Sequence, residues 1–399
     1  MQSEKLPPPI WIATPAALQK LADELASRER IAVDTESYSL HAFREQLCLI
    51  QFSTLQADYL VDSLALSDLS PLRPVFENPR IEKIFHAAEY DLICLKRDSG
   101  ITVNNLFDTM QAARILGCER VGLDSILAEK LGIHLDKKYQ KADWGARPLS
   151  PEMLNYARLD THHLLQLRDH LQSELKTRRR WELAQEEFVR LAGNSGNGKV
   201  EIPAWQRIKG TYKFSQQQFA ILHELCDWRE TQAQHVNRPP FKVLDNKRLV
   251  AVAQMLPVTQ DDLADLGLTA RQIQNYGPEI LKAVISGKTN RVFSRPRPSR
   301  PDQAYLDRVN ILSEWRKTTG QKTGLESDLI LPKNWMLAIA EKNPRDLKDL
   351  AALMPHAPWR LGQFGSEIIK VLLQKQPLAG KTKAGSSGTG NKKFARLKQ

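Results

Sequence analysis

The chain has 399 residues, 42% hydrophobic and 26% charged, with a mean hydropathy of −0.42. That is too long for one ordinary core, so two or three domains are expected, and it excludes a disulfide-stapled miniprotein or wholesale disorder. The charge of +11 is unevenly placed: residues 1–200 hold 25 Lys and Arg against 28 Asp and Glu, residues 201–399 hold 32 against 18, so a slightly acidic half precedes a basic half suited to a polyanion.

No apolar run reaches the roughly 18 residues of a membrane span, and residues 1–9 lack the apolar core of a secretory leader, so a cytoplasmic location is expected. Cys48, Cys94, Cys118 and Cys226 show no C-x-x-C spacing and read as buried thiols. In chain order, Ile31-Ala-Val33, Leu47–Phe52 and Tyr59–Asp62 are short strand-like runs that predict a meander, and Ile84-Phe85 predicts a strand ending at His86. From about Leu92 the spacing is helical, with Leu123, Ile126, Leu127 and Leu131 on one face and Leu154, Leu164, Leu165 and Leu167 further on. A sheet covered by helices follows.

Gly193–Gly198 reads as a flexible break. Ser286–Pro301, with Lys288, Arg291, Arg295, Arg297, Arg300, three prolines and no acid, reads as a linker. Its first residues, Ser286-Gly-Lys-Thr289, imitate the end of a P-loop, but Lys282 stands where that motif wants glycine, and no ATP use is expected. Shifting the chain by 87 positions lays Trp228-Arg229 on Trp315-Arg316, Val243-Leu244 on Ile330-Leu331, Ala253 on Ala340 and Pro257 on Pro344; one inserted residue brings Gly277, Glu279 and Ile280 onto Gly365, Glu367 and Ile368. Two tandem all-α modules are predicted, with Trp228 and Trp315 at spacing typical of core. The Gly/Ser/Lys-rich tail beyond them carries no acid and reads as disordered.

Three short patterns carry chemistry. Asp34-Thr-Glu36 follows a strand, and residues i and i+2 of a strand share a face, so both carboxylates project together. Such a pair repels itself unless a divalent cation lies between. His86-Ala-Ala-Glu-Tyr-Asp91 marks a strand giving way to a helix with Asp91 in its first turn. In Asn155-Tyr156-Ala-Arg-Leu-Asp160, Tyr156 and Asp160 are i and i+4 on one helical face. Singly each has a bland alternative: a chance D-x-E, an acid complementing a helix dipole, a decorated helix surface. Gathered in one cleft, four unmatched acids imply metal ions.

The order D-x-E, H-A-x-x-x-D, Y-x-x-x-D resembles the DEDD superfamily of 3′→5′ exonucleases with a third-motif tyrosine, and Asp143-Trp-Gly-Ala-Arg147-Pro-Leu149 is similar to the ribonuclease D family in particular. The repeated module resembles the HRDC domain. The resemblance implies an α/β ribonuclease H-like exonuclease domain, a mixed sheet flanked by helices, over residues 1–198. It further implies small all-α HRDC-type domains over 199–288 and 302–376, a basic Pro-rich linker over 289–301 and a basic disordered tail over 377–399. The family pattern has Asp34, Glu36 and Asp160 hold one Mg²⁺ or Mn²⁺ and Asp34 and Asp91 support a second, with Tyr156 orienting the attacking water. Catalytic residues are thus expected at Asp34, Glu36, Asp91, Tyr156 and Asp160, and substrate contacts at His86, Trp144 and Arg147; His162 and His163 read as helix surface. Ser37 departs from the bulky apolar residue of many relatives; the departure leaves the metal ligands untouched, and the stacking contact at that spot does not carry over from the resemblance.

The implied substrate is RNA, with tRNA precursors bearing 3′ extensions as the expected class, released as nucleoside 5′-monophosphates by a monomer that needs neither membrane nor ATP. A DNA exonuclease of the same fold and a nucleic-acid-binding protein with a decayed site are the alternatives. The second module and tail look the more phosphate-seeking end, and deleting 201–399 is expected to weaken RNA binding while sparing hydrolysis of short substrates.

Overall fold

The computed structural model describes residues 6–38, 43–194, 203–289 and 302–374. Most of the expected glycine-rich break, the basic stretch 290–301 and the tail lie outside the described residues.

The first part of the chain forms one sheet of strands β1 (Ile10–Ile12), β2 (Arg30–Ser37), β3 (Leu47–Ser53), β4 (Asp58–Asp62), β5 (Glu82–Phe85) and β6 (Leu106–Asp108), ordered β1-β4-β3-β2-β5-β6. The predicted meander is present, with β3 antiparallel to both β2 and β4. β1, β5 and β6 pair in parallel, which makes the sheet mixed. β1 and β6 have three residues each, too short to show a two-residue period, and neither is legible as a pattern.

Among the described residues, eight α-helices surround the sheet: α1 (Pro15–Ala26), α2 (Arg73–Glu77), α3 (Glu89–Ser99), α4 (Thr109–Leu116), α5 (Leu123–Leu131), α6 (Pro151–His162), α7 (Leu164–Thr177) and α8 (Trp181–Asn194). Side-chain alternation along β2 divides the interior. Ile31 and Val33 join the α1–α3 core with Leu18, Phe76 and Leu92, while Ala32 joins a second core with Ala112, Ile126, Leu167 and Phe188 from α4, α5, α7 and α8. Of the leucines at helical spacing, Leu123 and Leu131 lie on α5, Leu154 on α6, and Leu164, Leu165 and Leu167 on α7.

The repeat folds as two modules on one plan. Long helices Gln216–His235 and Gln303–Thr323 each pack against a closing helix, Ala270–Thr289 and Pro358–Gln374. The Trp-Arg pairs are structural in both copies. Arg229 donates to the carbonyl of Leu244 at 2.9 Å and Arg316 to that of Leu331 at 3.0 Å, while Trp228 meets Tyr276 and Trp315 meets Phe364 edge to face. Ser286–Thr289 is the last turn of a helix, not the start of a linker: Gly287 lies where a Cβ would approach Ile221 Cα to 2.5 Å, so the glycine serves a helix crossing.

The two modules differ in how they meet the exonuclease domain. Arg360 of the second is 0% exposed and donates to Glu186 at 2.5 Å, to Glu187 at 2.8 Å and to the Leu329 carbonyl at 2.9 Å. Arg114 of α4 pairs with Glu326 and Asp328, Arg180 donates to the Thr323 carbonyl, and Leu329 is buried in the second core of the exonuclease domain. Arg360, one of the basic residues of the second module, is thus engaged by protein carboxylates; the tail counted with that module lies outside the described residues. The first module meets the exonuclease domain through a hydrogen bond from the Phe43 amide to Asn237 at 3.2 Å.

Candidate active site

The cleft forms because neighbouring strands end at different heights. β5 pairs with β2 only over Arg30–Ala32, whereas β3 stays paired with β2 as far as Ser37. Asp34, Thr35 and Glu36 are therefore backed on one side and open on the other, where the chain leaving β5 turns through His86 into α3. Asp108 holds that turn: 0% exposed, it caps α4 through the Gln111 amide and accepts the Ala87 and Ala88 amides at 3.2 and 2.7 Å.

On the opposite wall, Pro151 opens α6 and the Ser150 hydroxyl caps it, so the helix begins at a defined place. Ala157 and Thr161 pack down on the sheet. The Thr161 hydroxyl meets Ser53 at 2.7 Å, and Asp58 accepts from Ser53 and pairs with His162 at 2.9 Å. His162 is thus a structural tie, not free helix surface. The arrangement swings Tyr156 and Asp160 over the end of β2.

One oxygen each from Asp34, Glu36 and Asp160 lies within 4.8 Å of the others. Asp91 comes from α3 past the end of β5 and accepts the Thr35 hydroxyl at 2.5 Å. Burial and the Asp160 charge hold Asp34 well above the ordinary carboxylate range. Burial with Asp34, Asp160 and Asp91 does the same to Glu36, and burial with Asp34 does so to Asp91 despite the Thr35 hydroxyl. Burial pushes Asp160 up to about 7. Every charged neighbour shifting these groups is itself a carboxylate, and three convergent oxygens with a fourth acid beside them form the donor set of a hard divalent cation. The residues fit such an ion.

Tyr156 stands between the rings of Tyr139 and Trp144, at 5.9 and 6.1 Å, and burial followed by the charge of Asp160 raises its phenol above the usual value. Asp34, Glu36, Asp160, His86, Lys137, Gln140 and Tyr156 line a cleft of about 400 Å³, with Lys137 paired to Asp124 at 2.9 Å. His86 Nδ1 lies 2.9 Å from the Thr109 hydroxyl, and the ring also has a backbone hydrogen bond with Val121; burial depresses the imidazole to about 4, leaving it neutral.

Two expected substrate contacts are structural instead. Trp144 is 2% exposed and packs behind Tyr156, so no base can stack on it. Arg147 has all five N–H donors engaged: two on Asp62 at 2.9 and 2.7 Å, and one each on the carbonyls of Cys48, Trp144 and Ala146. It ties the loop before α6 to β3 and β4. Gly145 of that loop touches Tyr38 so closely that a Cβ would lie 2.3 Å from the ring. Ser37, at an irregularity in the β2–β3 register, donates to Glu45 at 3.0 Å. Sequence patterns missed Asp108, whose signal is an acid between a short apolar run and a helix, and Lys137, which has none beyond its charge.

Residues 9–176 match the 3′-5′ exonuclease family, and residues 218–284 and 306–372 each match the HRDC domain. The exosome complex exonuclease RRP6 of Saccharomyces cerevisiae is 33% identical over 327 residues, 76% of this chain and 45% of that protein; the chain thus spans less than half the length of this relative. Ribonuclease D of Pseudomonas paraeruginosa is 29% identical over 91% of this chain and 97% of its own length. Among solved structures, Escherichia coli RNase D, described as an exoribonuclease involved in structured RNA processing, superposes with a TM-score of 0.70 at 25% identity, covering 92% of this chain and 99% of that one.

Proposed function

We propose that the chain is a metal-dependent 3′→5′ exoribonuclease releasing nucleoside 5′-monophosphates, a reading supported by the match of residues 9–176 to the 3′-5′ exonuclease family, by the two HRDC matches that follow it and by the likeness to ribonuclease D over nearly the whole chain. The observation that carries this reading is the convergence of Asp34, Glu36 and Asp160, three carboxylates whose only charged perturbers are other carboxylates.

In this reading Asp34, Glu36 and Asp160 hold one divalent ion, Mg²⁺ or Mn²⁺, and Asp34 with Asp91 serves a second. Bound there, such ions supply a water of lowered pKa and neutralise charge on the scissile phosphate. The chain's own groups do the rest. Tyr156 keeps its proton at neutral pH, so it orients a water through its hydroxyl and does not act as a base. Neutral His86, fixed by Thr109, offers a polar edge to the terminal nucleotide without adding charge. The β2 end and α6 hold the acids on rigid elements on opposite walls, the placement that an in-line attack needs.

The substrate we propose is RNA, with tRNA precursors carrying 3′ extensions as the class, acted on by a cytoplasmic monomer without ATP. The ribonuclease D likeness over nearly the whole chain supports the RNA assignment, and the basic character of the second half supports phosphate binding. Among the described residues no helix is long and apolar enough to cross a membrane. The test is a comparison of 3′-extended tRNA with a DNA strand of the same sequence: stepwise shortening of the RNA at a much greater rate is expected, and faster loss of the DNA would make the chain a DNA exonuclease of this fold.

A further inference from the structure

Gln51 lies on β3 directly across from Asp34 of β2, and Leu60 of β4 faces it from the other side. Residues paired across antiparallel strands share a face, with Cβ atoms about 4.5–5.5 Å apart. On that face Ser53 reaches the Thr161 hydroxyl of α6, and Leu49 belongs to the apolar cluster containing Ala157 of α6. Gln51 stands between these two, enclosed by the sheet and the helix that carries Tyr156 and Asp160.

Its side chain is 0% exposed, and among the described residues neither Nε2 nor Oε1 has a hydrogen-bond partner. About 90% or more of buried polar groups in folded proteins are paired. An apolar residue of the same length would fill this place without the desolvation penalty of an unpaired amide. A buried amide in this position calls for a partner that the described residues do not supply.

We propose that Gln51 is a positioning residue for the cation-binding carboxylates: its amide N–H donates through one enclosed water to the Asp34 carboxylate and so turns the coordinating oxygen toward Glu36 and Asp160. The inference rests on the proposed metal site and assigns that site a support from β3. Carboxylate ligands are ordinarily held by such an outer hydrogen bond, and its loss weakens metal binding about 10- to 100-fold.

The test uses the full chain, Gln51→Met and Gln51→Leu, with Mn²⁺ titrated in the absence of RNA and followed by electron paramagnetic resonance. Thermal melting of the metal-free proteins runs beside it. The expected result is melting at or above the wild-type temperature without metal, combined with Mn²⁺ affinity lowered about 10- to 100-fold. Wild-type Mn²⁺ affinity in the variants would overturn the proposal, as would failure of both to fold, since the amide would then be needed without any cation. Absence of Mn²⁺ binding by the wild-type chain would overturn the metal site itself, a failure distinct from the other two.

Discussion

Replacing Arg360 by methionine keeps most of the side-chain volume and removes one charge from the junction between the second helical module and the exonuclease domain. The guanidinium is fully enclosed, lies over Trp335 and bridges Glu186 and Glu187, both themselves buried. Removing one partner of a buried ion pair costs about 3–5 kcal/mol, because the other charge is left without compensation. Here Glu187 keeps Arg190, and Glu186 keeps the backbone amides of Trp359 and Arg360, so the low end, about 3 kcal/mol, is expected. At about 1.4 kcal/mol per tenfold, that is on the order of a hundredfold in the ratio of docked to undocked module. Hydrogen exchange resolves this directly: amides around Thr323–Leu329 and Trp359 should exchange about a hundredfold faster in Arg360→Met, with slower change at β2 and β3. Adding Glu186→Gln to the same protein should recover part of the loss, since Glu186 is then no longer a buried charge without a partner while Glu187 keeps Arg190. Wild-type exchange in the single variant would refute the idea that the second module is an integral part of the catalytic domain's core.

Asp34→Asn and Asp160→Asn should each abolish hydrolysis with the melting temperature kept or raised, and Tyr156→Phe should lose most but not all turnover; steady-state kinetics beside thermal melting checks all three. The raised carboxylate pKa values mean that the metal-free folded state binds more protons than the unfolded one between the ordinary carboxylate range and about 7. The contribution of these four acids to metal-free stability should accordingly be full below the ordinary carboxylate range and lost as pH rises through about 7, read as the difference between the wild-type chain and Asp160→Asn. Saturating Mn²⁺ should flatten that difference, and a difference that runs the other way with pH would contradict the electrostatics. Arg147→Lys should lower the melting temperature and kcat by loosening the loop behind Tyr156, with KM unchanged; a rise in KM alone would restore Arg147 as a phosphate contact. Deleting residues 302–399 should destabilise the exonuclease domain, because it strips Leu329 from the second core and leaves Glu186 and Glu187 without Arg360.

The acids of the cleft were legible because strand and helix periods put them on single faces: Asp34 and Glu36 two apart on β2, Tyr156 and Asp160 four apart on α6. The repeat was legible for a similar reason, since Arg229 and Arg316 make the same bond to a carbonyl fifteen residues on. What stayed hidden depends on contacts distant in sequence. Arg147 looked like a phosphate ligand because nothing local reveals Asp62, and Trp144 looked available because its burial is created by Tyr156 and β3. The docking of the second module is equally silent: Arg360 is one basic residue among many until Glu186 and Glu187 are brought to it. The short outer strands β1 and β6 carry no usable period, and Gln51 is one polar letter in an apolar run whose meaning appears only in the register that sets it opposite Asp34.

The most direct measurement follows a 5′-labelled, 3′-extended RNA through time with Mg²⁺ or Mn²⁺, with EDTA, and with the Asp34→Asn protein. A ladder shortening one nucleotide at a time from the 3′ end, release of nucleoside 5′-monophosphates, and no reaction in either control is the predicted result. Internal cleavage, products bearing a 3′-phosphate, or undiminished hydrolysis with EDTA or Asp34→Asn would contradict a carboxylate-held, metal-dependent exonuclease.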